Sequence, residues 1–101
     1  MGSLIMVVNP NSSEAMTMGI DAAITPLRSQ DGPKIKCLTL AEGPSGIESD
    51  ADVRSVIAPL CKLARSLEEK VAAFVNACFS DPGLTEMRAA TRRPVFGIAE
   101  S

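Results

Sequence analysis

Two periods alternate along the chain, one of strands and one of helices. Residues 4–8 form an unbroken run of apolar and β-branched side chains that stops at Asn9-Pro10-Asn11, a turn sequence in which no strand continues. This predicts a buried strand that runs into a turn. Met16, Ile20, Ala23, Ile24 and Leu27 then recur at helical spacing, and Asn11 followed three residues later by Glu14 has the spacing of a capping box, so the first helix is expected over about 12–27. After a turn at Asp31-Gly32-Pro33, residues 35–40 alternate as a second strand. Residues 42–50, with Gly43, Pro44 and Gly46, read as a long loop. Val53, Val56, Ile57, Leu60, Ala64 and Leu67 mark one face of a second helix, expected to bend at Pro59, which lacks a backbone donor. Residues 71–77 predict a third strand. Asp81-Pro82 suits the cap and first position of a third helix, and residues 94–99 a fourth strand.

The order β-α-β-α-β-α-β predicts one α/β domain over residues 1–101, an open parallel sheet of about four strands with right-handed crossovers and helices on both faces. Sheets of this kind bind ligands at the carboxyl ends of their strands. No repeat, low-complexity tract or Gly/Ser linker divides the chain.

Composition narrows the function. The 101 residues are 46% hydrophobic but only 3% aromatic, so the core is expected to be aliphatic. The net charge is −2, and the ten basic residues are scattered along the chain, which argues against nucleic acid or an anionic membrane as partner. No apolar run approaches the roughly 20 residues of a membrane helix, and the amino terminus lacks the pattern of a signal peptide. Three cysteines without CxxC spacing, and no histidine, point to a reduced, cytoplasmic protein without a metal site.

Three segments fall at carboxyl ends of predicted strands: Asn9-Pro10-Asn11-Ser12-Ser13, Cys78-Phe79-Ser80-Asp81-Pro82-Gly83 and Glu100-Ser101. They are expected to converge on one crevice. The first two also open predicted helices, whose free N–H groups suit a carboxylate, an imide oxygen or a phosphate. On spacing alone the Asn-Pro-Asn-Ser-Ser stretch reads first as plain helix capping, which can coexist with binding. Cys78 lies just past a buried strand and three residues before the expected helix cap, a setting that favours a thiolate and hence a general base; the alternative is a small buried hydrophobe. Cys37, inside a strand, and Cys61, inside a helix beside Leu60, read as core residues. Gly43-Pro44-Ser45-Gly46 is neither a dinucleotide nor a Walker loop, and without histidine Cys78 has no protease-type partner. Proton chemistry is left to cysteine and carboxylates.

Four segments together resemble the Asp/Glu racemase superfamily, in its hydantoin racemase branch: Val7-Val8-Asn9-Pro10-Asn11-Ser12-Ser13, Gly43-Pro44-Ser45-Gly46-Ile47-Glu48, Ala77-Cys78-Phe79-Ser80-Asp81-Pro82-Gly83-Leu84 and Pro94-Val95-Phe96-Gly97-Ile98-Ala99-Glu100. The resemblance implies a flavodoxin-like half of a two-domain, cofactor-independent racemase in which one cysteine from each half faces the substrate α-carbon. Cys78 is then the acid/base of one face, and the second, cysteine-bearing domain is absent from these residues. The substrate implied is an amino-acid derivative: a hydantoin, allantoin or an acidic amino acid. Asn9, Asn11, Phe79 and Ser80 occupy the matching places around it, with Ser12 and Glu100 completing the expected substrate-binding set. Neither pyridoxal phosphate nor a metal is implied, and homo-oligomers are expected where a second copy supplies the missing wall. Two other readings stay open, a decarboxylase or isomerase of the same superfamily and a non-catalytic flavodoxin-like binding or assembly module.

Overall fold

The structure, a computed structural model, describes residues 3–78 and 80–99. Strands β1 (Leu4–Asn9), β2 (Lys34–Thr39), β3 (Ala73–Asn76) and β4 (Val95–Gly97) form one parallel sheet in the order β2-β1-β3-β4. Helices α1 (Glu14–Ile24), α2 (Asp50–Leu67) and α3 (Leu84–Ala90) are the crossovers. The α/β class, the parallel sheet and its helices are those expected from the order of elements.

Side chains alternate across the sheet because successive Cβ atoms point to opposite faces. Met6 and Val8 of β1, Phe74 of β3 and Val95 of β4 point to one face, where α2 contributes Val56, Leu60 and Ala64, and α3 contributes Leu84 and Met87. This aliphatic layer, with Phe74 at its centre, is the core. Ile5, Val7, Val75 and Phe96 point to the other face, where α1 packs against β2. Parallel sheets are normally covered on both sides. Here the β3–β4 half of the second face stays open, with Phe96 54% and Ile98 39% exposed.

Element ends depart from the sequence pattern for local reasons. Ser13, not Asn11, caps α1, its hydroxyl accepting from the Met16 N–H at 3.2 Å. The Asn11 carboxamide oxygen is already engaged by the Ser13 N–H at 2.9 Å and the Asn9 amide at 2.8 Å. At the far end Pro26 has no N–H to continue α1, and residues Thr25–Leu27 tighten into a 3₁₀ turn. Helix α2 begins at Asp50 under a reciprocal cap, Ser49 accepting from Asp52 N–H and Asp52 from Glu48 N–H, and runs through Pro59 to Leu67. The third helix does not start at Asp81-Pro82. Asp81 takes a left-handed conformation (φ 47°), and Gly83 (φ 71°) precedes the first helical residue, Leu84. The Asp81 carboxylate instead lies against Gly97 and accepts from the Ala99 N–H at 3.2 Å, so a contact with β4 displaces the cap.

Candidate functional site

The carboxyl ends of β1 and β3 lie side by side, Val8 being paired with Asn76. At the end of β1, Asn9 and Asn11 are buried polar residues. Asn9 Nδ2 donates to Asn11 Oδ1 (2.8 Å), Thr17 Oγ1 (3.0 Å) and the Ser13 carbonyl (3.2 Å), while Asn9 Oδ1 accepts from the Asn11 N–H (3.3 Å). Such satisfaction is what keeps a buried amide from costing stability. Asn11 Nδ2 points at the Met16 thioether, 3.2 Å away. The Ser12 N–H donates to the Pro44 carbonyl at 2.8 Å, binding the turn to the Gly43-Pro44 loop. The approach is close enough that a Cβ on Gly43 would stand 2.5 Å from the Pro10 carbonyl oxygen.

Past β3, Cys78 is half-buried, with its Sγ 3.7 Å from Ser80 Oγ. Helix α3 begins only at Leu84, so the short interval expected between Cys78 and a helix amino terminus is not realised. What holds the Cys78 loop is Asn76, whose Nδ2 donates to the Pro82 carbonyl at 2.8 Å, together with the Asp81 N–H bond to the Cys78 carbonyl at 3.0 Å. Asn76 is fully buried, and its Oδ1 has no partner among the described residues. Neither Asn76 nor Thr17 stood out in the sequence. The available signal was a polar residue closing an apolar strand, which Asn76 shares with Asn9.

Asn9, Asn11 and Cys78 line one end of a groove of about 500 Å³ that continues between α1 and the sheet over Ile5, Val7, Ile20, Ile24 and Val75, with Ile98 beyond. Among the described residues no charged side chain lines it. The structure thus brings Asn9, Asn11 and Cys78 to one groove, with Ser80 beside the thiol and Ser12 in the adjoining turn. Phe79 and Glu100, the other two expected site residues, lie outside the described residues. Cys37 is elsewhere, on β2 beside the Asp21–Arg28 ion pair (2.6 Å), where burial and then the Asp21 charge push its thiol pKa up. Among the described residues no group of three Cys, Asp or Glu side chains comes together as metal ligands would, and no helix is long and apolar enough to cross a membrane.

The sequence profile of the Asp/Glu/hydantoin racemase family matches residues 5–101. A hydantoin racemase from Pseudomonas sp. (strain NS671) is 42% identical over 98 residues, 96% of this chain and 39% of that protein. One from Paenarthrobacter aurescens is 37% identical over 100 residues, 96% of this chain and 42% of that protein. The allantoin racemase from Klebsiella pneumoniae superposes with a TM-score of 0.88 at 36% identity, covering 98% of this chain and 40% of that one. The chain spans about two-fifths of the length of these relatives.

Proposed function

The chain belongs to the Asp/Glu/hydantoin racemase family, and from that premise we propose that it supplies one face of a cofactor-independent racemisation site with Cys78 as the acid/base. The observation that carries this reading is the placement of Cys78 with the Asn9 and Asn11 amides at one end of a groove that, among the described residues, no charged side chain lines. The Cys78 thiolate takes the α-proton: the C–H bond breaks, an S–H bond forms, and the electron pair moves onto the neighbouring carbonyl. The enolate oxygen then needs donors, which Asn11 Nδ2 and backbone N–H groups of the Cys78 loop supply. Ser80, beside the sulfur, and Ser12 in the adjoining turn belong to the same substrate-binding set.

Substrate chemistry follows from the lining. With no cation among the described residues that line the groove to hold the carboxylates of a free acidic amino acid, the reading favours a neutral cyclic amide, a hydantoin or allantoin, whose imide and carbonyl oxygens accept hydrogen bonds. Racemisation takes a second acid on the opposite side of the carbon. In this proposal the described residues correspond to the amino-terminal half of the relatives, and a further domain or a second copy provides that acid. A single copy returns the proton from the side that removed it, which exchanges hydrogen without inverting the centre.

The test is proton NMR in deuterium oxide with optically pure 5-substituted hydantoin, allantoin and aspartate. The expected result is loss of the α-proton signal from a cyclic amide with optical purity retained, at least about 100-fold slower in Cys78→Ala, the range in which a general base acts. Equal exchange by both proteins rejects Cys78 as the base. Exchange only with aspartate rejects the cyclic-amide reading.

A further inference from the structure

Two hydroxyls behind the site, one buried and one half-buried, have no part in the chemistry above. Thr17 of α1 and Thr39, the last residue of β2, place their Oγ1 atoms 2.6 Å apart, and Thr39 is in register with Asn9. Thr17, 9% exposed, also has its Oγ1 3.0 Å from Asn9 Nδ2 and 3.3 Å from the Ser13 carbonyl. A carboxamide NH₂ only donates, a backbone carbonyl only accepts, and a hydroxyl has a single proton to give. One arrangement that satisfies all four groups has Thr39 donating to Thr17, Thr17 donating to the Ser13 carbonyl, and Thr17 accepting from Asn9.

Backbone groups settle the orientation of both amides, the Asn11 N–H donating to Asn9 Oδ1 at 3.3 Å and the Ser13 N–H to Asn11 Oδ1 at 2.9 Å, and Thr17 adds a side-chain acceptor for the Asn9 NH₂. Asn9 turns its NH₂ toward three acceptors, Asn11 Oδ1, the Ser13 carbonyl and Thr17 Oγ1. Flipped, it would set its oxygen against the Ser13 carbonyl. Asn11 Oδ1 is then held by the Asn9 amide and the Ser13 N–H, which leaves the Asn11 NH₂ turned the other way, toward the Met16 sulfur at 3.2 Å and the groove. A thioether is a weak acceptor, so this donor is oriented and yet available to a better partner. We propose that Thr17 and Thr39 are positioning residues, whose hydroxyl pair braces the Asn9 amide against Asn11 Oδ1 and so steadies Asn11 as a donor, and not an acceptor, to a ligand carbonyl beside Cys78. The inference rests on the role given to Asn11 in holding that carbonyl. An Asn11 turned the other way would face the developing oxyanion with its own oxygen and oppose the reaction.

The experiment uses ¹⁵N-labelled chain and unsubstituted hydantoin as the probe, following the side-chain amide signals of Asn9 and Asn11 during titration. Thr17→Val is expected to shift both pairs of signals in the free protein and to raise the Kd for hydantoin at least about fivefold, the scale of one lost hydrogen bond. Thr39→Val is expected to raise it about two- to fivefold, and Thr17→Ser and Thr39→Ser to stay within about twofold of the wild type, since serine keeps the hydroxyl. Valine variants that lower the melting temperature while leaving Kd unchanged overturn the inference, as do serine variants that behave like valine. Thr39 is only half-buried, so Thr39→Val decides the matter should Thr17→Val not fold. Binding indifferent to both threonines overturns this inference alone. Binding that responds to them while α-proton exchange ignores Cys78→Ala overturns the proton-transfer reading alone, and no hydantoin binding by the wild type overturns both.

Discussion

Asn9 and Asn76 close neighbouring strands, and each spends its amide on a loop: Asn9 on the turn that carries Asn11, Asn76 on the Pro82 carbonyl behind Cys78. Cys78 was legible in the sequence because turn residues follow directly on an apolar run. Asn76 was not, because its value lies in a carbonyl six residues away that only the folded loop brings within reach. Gly43 is a similar case, its loop reading as a failed phosphate motif. Its role is contact, since the loop carbonyl of Pro44 receives the Ser12 N–H and the Gly43 Cα lies against the Pro10 backbone. Gly43→Ala puts a Cβ 2.5 Å from the Pro10 oxygen and 3.3 Å from Asn11 Cα, both backbone atoms. We expect it to cost about 1–3 kcal/mol in urea denaturation, as overpacking does, and to move the Asn11 side-chain amide signal. A stability change within about 0.5 kcal/mol would mean the loop yields freely.

Among the elements, α2 is joined to the turn before β4 by Glu68, its C-cap residue. The Glu68 carboxylate accepts from the Arg92 N–H at 2.7 Å and from Thr91 Oγ1 at 2.8 Å, with the Arg92 guanidinium at 3.4 Å. The Arg92 backbone bond first, and then the Thr91 hydroxyl, hold its pKa below the usual carboxylate range. The folded state therefore binds this proton less readily than the unfolded state. The stabilisation is complete above the unfolded pKa of about 4.3 and is lost as the pH falls through the lower folded value. Melting temperatures between pH 7 and pH 3 should thus fall more steeply for the wild type than for Glu68→Gln, the difference developing below about pH 5. Parallel curves would show that the carboxylate is equally solvated in both states. At this scale the strands and helices were read from period alone, but their ends were not. Asn11 and Asp81 are both good helix caps by residue type, and both were drawn off, one by the Asn9 amide and the other by the end of β4.

For the whole molecule the decisive feature is the asymmetry of the two sheet faces. Helices α2 and α3 bury the centre of one face, whereas on the other α1 packs against β2 and leaves a groove over β1 and β3. Phe96 and Ile98 are exposed beside a groove that ends at Cys78. An apolar surface of this kind favours association, and the proposal that a second copy supplies the facing wall leads to a direct expectation. Sedimentation should show self-association that rises with protein concentration, weakened at least about tenfold by Phe96→Glu, since burying a charge without a partner is costly. A monomer at all concentrations removes the second copy from the proposal and leaves the wall to a further domain.

Sequence by itself determined the α/β class, the parallel direction of the strands and the placing of the Asn9-Pro10-Asn11 turn and Cys78 at strand ends. Those features follow from the two side-chain periods and from residues that stop them, and both are local properties of the chain. Tertiary structure alone decided that Ser13 caps α1, that Asp81 serves β4, and that Thr39 and Thr17 stand behind Asn9. Each of these is a competition for a single polar group among partners up to 30 residues distant in sequence. The winner depends on which atoms the packed core brings within about 3 Å, a distance that no spacing along the chain encodes.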